Sequence, residues 1–167
     1  MQGKVVTKSP SESWVEMTEL VMPQHTNALG TVFGGVVMSW VDIAAATCAM
    51  RHATKTVVTA SIDAMHFISP IKIGWIVTLK SAINFTSNSS CEIGVKVTAE
   101  NPMTGEKFHT ASAYLTFVAL DSHGRATPIP QIKPDTPEEF EREAAARARR
   151  AARLKLREHL LARKKAD

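Results

Sequence analysis

The chain has 167 residues, of which 44% are hydrophobic and 22% charged, a composition typical of one globular domain with a buried core. Its net charge of +4 comes from residues 137–167, which carry ten bases and six acids, whereas residues 1–136 carry ten of each. Asp42 and Arg51 break the longest apolar run before it reaches the ~20 residues of a membrane span, so a membrane helix is excluded, and the neutral body argues against nucleic-acid binding.

The first predicted element is a strand over residues 13–22, which ends at Pro23. The segment before this strand lacks the apolar region of a signal peptide. Cys48 and Cys91 stand alone in apolar surroundings without the spacing of a metal site, so we expect both to be buried free thiols. These features together predict a protein of the reducing cytoplasm.

A loop over residues 24–33 leads into a predicted helix of about 18 to 20 residues that begins at Gly34. The helix is apolar on nearly every side, and Asp42 interrupts its apolar run. Removing an unpaired carboxylate from water is costly, so Asp42 is either bonded within the structure or kept for chemistry. We expect the sheet to cover one side of this helix and a second subunit to cover the other, which makes the protein at least a dimer.

Four strands are predicted after the helix, over residues 56–68, 73–86, 91–100 and 107–120. Apolar and polar residues alternate along them with the period of two that is typical of strands. Short connections with hairpin-type turn residues imply an antiparallel sheet. One long helix with such a sheet predicts the α+β class.

Residues 124–135 contain three prolines and are predicted to be a linker before a C-terminal helix. Thr136, Pro137 and Glu139 have the pattern of a helix start with a capping box. We expect an apolar stripe of this helix to pack on the body or on a neighbouring subunit. The stripe consists of Phe140, Ala144, Ala148, Ala152, Leu156 and Leu160. An arginine-rich nucleic-acid arm is disfavoured, because bases alternate with acids and no aromatic stacking residue accompanies them.

The start of the first predicted helix carries groups suited to chemistry. Helix N-termini present unpaired backbone N–H groups, and Gly34 and Gly35 leave room for a ligand carbonyl to approach them. Such donors can form an oxyanion hole. Asn27 either orients a water or that carbonyl, or holds its own loop by an Asx-type bond, and the residues alone leave both alternatives open.

The segment His25–Gly35, followed by Met38 and Asp42, resembles the signature of the hotdog-fold acyl-CoA thioesterases of the acyl-CoA hydrolase family. The resemblance continues through residues 66–74, 89–95 and 113–121 and covers residues 13–130. It implies a hotdog fold, in which a curved antiparallel sheet wraps around a long central helix, over residues 1–130. Residues 131–167 are then a Pro-containing linker and a C-terminal basic helix.

The same resemblance implies hydrolysis of acyl-CoA thioesters to fatty acid and coenzyme A, without a metal or another cofactor. Two subunits pair with active sites at their interface, and three such dimers often form a hexamer; nucleic acid and membrane are not expected partners. Asn27 of one subunit then faces Asp42 of the other, and a backbone N–H near Gly35 polarises the thioester carbonyl. Asp42 acts either as the general base or as the nucleophile, and the family leaves that choice open.

More loosely, the resemblance points to six residues for binding of the CoA or acyl group: Gly34, Arg51, Lys72, Ser87, Ser89 and Ser90. Thr47 is a further candidate near the attacking water, although it lies five residues after Asp42 and therefore on a different helix face. Two alternatives remain open. One is a hydratase or dehydratase of acyl thioesters, which usually needs a His–acid pair at the helix start; the other is a sensor that binds acyl-CoA without cleaving it.

Overall fold

Residues 6–63 and 65–163 are described by the structure, which is a computed structural model. These residues form two α-helices, eight β-strands and two short 3-10 turns. In chain order the helices and strands are β1 Thr7–Lys8, β2 Val15–Leu20, α1 Gly34–Ala53, β3 Thr56–Ile62, β4 His66–Phe67, β5 Ile76–Thr86, β6 Ser90–Glu100, β7 Lys107–Leu120, β8 Gln131–Ile132 and α2 Pro137–Arg163.

The main sheet confirms the predicted α+β class, because its strands β2, β5, β6, β7 and β3 follow one another in antiparallel order. The predicted strand over residues 56–68 is divided into β3 and β4, which pair with β7 separately. A β-bulge between Thr59 and Ser61 shifts the register of β3, and bulges of this kind bend a strand. β3 lies at an edge of the sheet.

Helix α1 packs against the sheet through a face of small side chains that are fully buried: Ala44, Ala45, Cys48 and Ala49. Small residues let the helix backbone approach the strands closely. The free cysteines Cys48 and Cys91 are both buried, as expected. Away from this face Ile43 and Met50 are exposed, and Met38 in the first two turns of the helix is exposed as well. The sheet of a single chain therefore covers only one side of this apolar helix.

His52 joins the end of α1 to the segment before β8. Its side chain is fully buried, with Nδ1 3.5 Å from Ser13 Oγ and Nε2 3.0 Å from the carbonyl oxygen of Pro130. Burial lowers the pKa of His52 below its ordinary 6.5, so the imidazole stays neutral and serves packing. The segment expected to be a linker contains β8, which pairs in parallel with β1.

Helix α2 begins as predicted, with a capping box at Thr136 and Glu139. The backbone N–H of Glu139 donates to Thr136 Oγ1 (3.3 Å), and that of Thr136 donates to Glu139 Oε2 (3.2 Å). The apolar stripe, however, does not pack on the body, because its large side chains are 54–60% exposed: Phe140, Leu156 and Leu160. That part of the prediction is wrong; packing of the stripe on a neighbouring subunit stays a prediction.

Arginines, rather than the apolar stripe, attach α2 to the sheet. Arg149 donates to Glu92 Oε1 through Nη2 (2.6 Å) and Nε (3.1 Å), and Arg153 Nη1 donates to Asp63 Oδ2 (2.9 Å). The guanidinium of Arg149 also stacks 3.6 Å from the ring centroid of Tyr114. Because the sheet presents carboxylates beneath α2, the helix turns its basic face towards them rather than its apolar one.

Candidate active site

Asp42 lies on α1 beside β3, the edge strand of the sheet. Its carboxylate is half-buried in the single chain, and its Oδ1 accepts a hydrogen bond of 2.8 Å from the hydroxyl of Thr59. Thr59 belongs to the edge strand β3 and stands next to the bulge, and bulges often re-aim side chains near functional sites. The bond holds one carboxylate oxygen. Oδ2 has no hydrogen-bond partner among the described residues and can accept from a ligand or a water.

The sequence reasoning missed Thr59. An isolated threonine in a strand pattern carries no functional signal, since threonine is common in strands for its shape alone. Residues 42 and 59 become neighbours only when β3 folds back along α1. The one available signal was the need of a half-buried carboxylate for a hydrogen-bond donor.

Asn27 holds its own loop and also keeps a donor free. Its Oδ1 accepts from the backbone N–H of Leu29 (2.9 Å) and from the backbone N–H (3.3 Å) and hydroxyl (3.2 Å) of Thr31. These donors define which end of the amide is oxygen. Within the described part of the chain its Nδ2 has no partner, so the side chain can act on a ligand only as a hydrogen-bond donor.

The first turn of α1 borders an apolar cleft of about 370 Å³, which is within the size range of small-molecule pockets. The cleft is lined by Thr31, Gly34 and Val37 together with residues 67–71. A Cβ atom at Gly35 would lie 2.6 Å from the Phe33 ring, so a larger residue there would have to push this exposed ring aside. The first backbone N–H groups of the helix have no acceptor within the helix, and they border this cleft.

One chain does not bring the two halves of the predicted constellation together. Gly35 and Asp42 are seven residues apart on α1, which corresponds to about 10 Å along the axis. A thioester carbonyl bound by the helix start therefore lies too far from the Asp42 carboxylate of the same chain for attack by it or by a water beside it.

The residues predicted for CoA binding do not contact Asp42 within the described chain. Ser87, Ser89 and Ser90 form the hairpin between β5 and β6, where the backbone N–H of Ser87 donates to the carbonyl of Ser90 (2.7 Å). Ser90 and Val58 share one row of the sheet on opposite sides of β7, so the hairpin is about 10 Å from β3.

The remaining predicted residues lie in three separate places. The backbone of Lys72 forms an isolated antiparallel β-bridge with that of Thr31, so Lys72 lies beside the Asn27 loop. Arg51 is more than two helical turns after Asp42, and its Nη1 donates to the carbonyl of Trp14 (2.8 Å). The hydroxyl of Thr47 donates to the carbonyl of Ile43 in its own helix (2.8 Å), away from Asp42.

Comparison with known proteins identifies what this chain is similar to. Residues 29–106 match the Thioesterase superfamily. A Bacillus subtilis protein named as an uncharacterized acyl-CoA thioester hydrolase is 43% identical over 134 residues, which cover 80% of this chain and 78% of that protein. In the described residues, no helix is both long enough and apolar enough to cross a membrane.

Solved structures are similar over nearly the whole chain. A hexameric acyl-CoA thioesterase superposes with a TM-score of 0.87 at 40% identity, covering 90% of this chain and 97% of that one. An acyl-CoA hydrolase from Staphylococcus aureus, solved with butyryl coenzyme A and coenzyme A, superposes with a TM-score of 0.85 at 34% identity, covering 96% and 99%. The expected hotdog fold is thereby confirmed.

Proposed function

Because the chain belongs to the acyl-CoA thioester hydrolases of the Thioesterase superfamily, we propose that it cleaves acyl-CoA at sites formed by two of its subunits. The products are a fatty acid and coenzyme A. One observation carries the two-subunit arrangement: Asp42 lies at the edge strand β3, about 10 Å along α1 from the N-terminal amides of its own chain. A second copy supplies the missing half of each site.

Asp42 either activates the attacking water or attacks the thioester itself. As a general base, it takes a proton from water while the water oxygen attacks the thioester carbonyl carbon. As a nucleophile, its oxygen attacks that carbon itself, and water then hydrolyses the resulting anhydride. In both routes the C–S bond breaks and CoA leaves as a thiolate, which needs little protonation to depart and takes up a proton afterwards.

Asn27 and the helix start supply donors to the thioester. Since Asn27 Oδ1 is already bonded within the loop, its Nδ2 donates to the attacking water or to the thioester oxygen. The backbone N–H near Gly35 polarises the thioester carbonyl and stabilises the negative charge that develops on its oxygen. Such donors each lower the barrier by about 3 kcal/mol in other enzymes.

The edge strand β3 is the surface through which we propose that the subunits pair. Val58 and Ile62 on β3 and the apolar side chains on the open face of α1 are exposed in the single chain. A two-fold axis beside β3 would continue the sheet into the partner and place the open face of each α1 against the other. A similar solved acyl-CoA thioesterase is hexameric, and we further propose that three such dimers of this chain form a hexamer.

Thr59→Val should lower kcat by about tenfold, because the Asp42 carboxylate loses the hydroxyl that orients it. Thr59→Ser keeps the hydroxyl and should restore most of the activity. The measurement is release of free thiol from an acyl-CoA, with KM determined in parallel. An equal loss of kcat in both variants would contradict a positioning role and indicate damage to β3.

Two inactive variants test the shared site directly. Asn27→Ala and Asp42→Ala should each be inactive alone, whereas subunits of the two variants, unfolded and refolded together, should regain about a quarter of wild-type activity. Random pairing of equal amounts makes about half of the dimers mixed. One of the two sites in each mixed dimer has both residues intact, so about a quarter of all sites are active. If each chain housed its own complete site, every site in the mixture would carry one defect, and no activity would return.

We propose that the CoA moiety contacts Ser87, Ser89 and Ser90, Lys72 beside the Asn27 loop, Gly34 at the helix start and Arg51. The reaction as proposed uses no metal and no further cofactor. The hydratase alternative has no support in the geometry, since His52 is buried at the far end of α1 and His25 Nδ1 accepts from the backbone N–H of Met22 (3.2 Å). We also propose a reducing cytoplasmic location, in keeping with two buried free thiols.

A further inference from the structure

A second cavity lies on the other face of the sheet, between the outer surfaces of β5, β6 and β7 and the helix α2. Its volume is about 670 Å³, which is ample for a small-molecule ligand. Successive side chains of a strand point to opposite faces of the sheet. Residues such as Lys80 and Ala82 line this cavity, whereas Leu79 and Ile83 are buried in the core on the α1 side, so the cavity and α1 lie on opposite faces. The cavity is therefore separate from the site built around Asp42.

Two lysines lie next to each other at this cavity. Lys80 on β5 and Lys96 on β6 are directly paired across the strands, so their side chains emerge side by side on one face. Like charges in that position destabilise a sheet. Lys80 has a partner in Glu16 (3.2 Å), a solvent-exposed ion pair of little strength. In the described residues Lys96 has no acidic partner, and Ser112 stands opposite it on β7.

The other charges around the cavity do not balance the lysines. Its lining carries four basic side chains and one acidic side chain, Glu16. Arg149 is neutralised by the buried Glu92, and Arg142 lies 3.7 Å from Glu138. Lys80 and Lys96 thus form a positive site. Their proximity is unfavourable until an anion binds between them.

The rest of the cavity is suited to an alkyl chain. Ala82 and Gly94 are paired on the floor, two residues along the strands from the two lysines and therefore on the same face. Ala145 on α2 and the half-exposed indole of Trp14 line the same space. These small and apolar side chains leave room for methylene groups. The lining also contains polar side chains, of which Asn84 already donates to Glu92 and Ser112 is bonded to His109.

We propose that this outer cavity binds a free fatty-acid anion, with the carboxylate between Lys80 and Lys96 and the chain along Ala82 and Gly94 beneath α2. The inference rests on the proposed function in one respect, because a fatty acid is the product of that reaction. The charged head matches Lys80 and Lys96, and the apolar tail matches Ala82, Gly94 and Ala145; binding of a nucleotide is a contrary outcome of the test.

The test uses sodium laurate and the fluorescence of Trp14, taken as the difference between the wild-type chain and Trp14→Phe. Laurate should change this signal saturably, and Lys96→Glu should weaken the binding at least tenfold. The same substitution removes the opposition of like charges, so without laurate it should raise the thermal midpoint of unfolding. It should leave kcat/KM for acyl-CoA within twofold.

Lys155→Glu, the same charge change at an exposed position on α2, is the matched control and should alter neither laurate binding nor the midpoint. Methyl laurate, which has the chain without the charge, should not bind. Absence of a Trp14 response to laurate, unchanged binding in Lys96→Glu, or equal binding of methyl laurate or ADP would overturn the proposal. Intact acyl-CoA hydrolysis in those cases would leave the proposed function standing.

Discussion

Asp42→Asn should lower kcat for acyl-CoA hydrolysis at least a hundredfold, equivalent to about 2.7 kcal/mol in the barrier. The amide keeps the shape of the side chain and can still accept the hydrogen bond from Thr59. It is a poor base and a poor nucleophile, so both proposed routes fail while the packing persists. Release of free thiol under saturating substrate measures the effect.

The control for this prediction is Asp135→Asn, the same change at an exposed aspartate before α2. It should leave kcat unchanged, and light scattering should give the same mass for both variants and the wild type. Full residual turnover in Asp42→Asn would refute the assignment of this carboxylate. Loss of activity with a changed mass would instead place Asp42 in assembly.

Arg149→Ala should lower the free energy of unfolding by about 3 kcal/mol, because it leaves the carboxylate of Glu92 buried without its main partner. Glu92 is 1% exposed, and Arg153 lies 3.7 Å from its other oxygen, too far for a hydrogen bond. The substitution also removes the guanidinium that stacks on Tyr114. Urea unfolding followed by circular dichroism measures the change.

Two further variants separate charge from packing. Arg157→Ala, at an exposed position on the same helix, should change the free energy of unfolding by less than about 0.5 kcal/mol. Replacing Glu92 and Arg149 together by methionine should recover most of the loss, because no uncompensated buried charge remains. If the double variant were as unstable as Arg149→Ala, loss of packing rather than an unpaired carboxylate would be responsible.

Local patterns predicted the secondary structure well. The period of two over residues 91–100 and 107–120 matches β6 and β7, and the glycine pair before an apolar run marks the first residue of α1. The capping box likewise marks the start of α2. These features depend on neighbours within a few residues, so a linear sequence contains all the information they need.

The apolar stripe of α2 shows where such patterns fail. Period-based reasoning assumes that the apolar face of a helix packs inward. Here the surface beneath the helix holds Glu92 and Asp63, so arginines face it and the stripe is exposed. Glu92 sits in an alternating strand pattern as a solvent-facing residue would, and only the docking of α2 over it makes it buried.

The sequence by itself determined the two helices, the long strands and the candidates Asn27 and Asp42, because propensity, periodicity and motif spacing act over short stretches of chain. Only the tertiary structure decided that Thr59 holds Asp42 and that the arginines of α2 face Glu92 and Asp63. Those facts depend on contacts between residues distant in sequence. Such contacts form only when strands pair and helices dock, and no local pattern records their geometry.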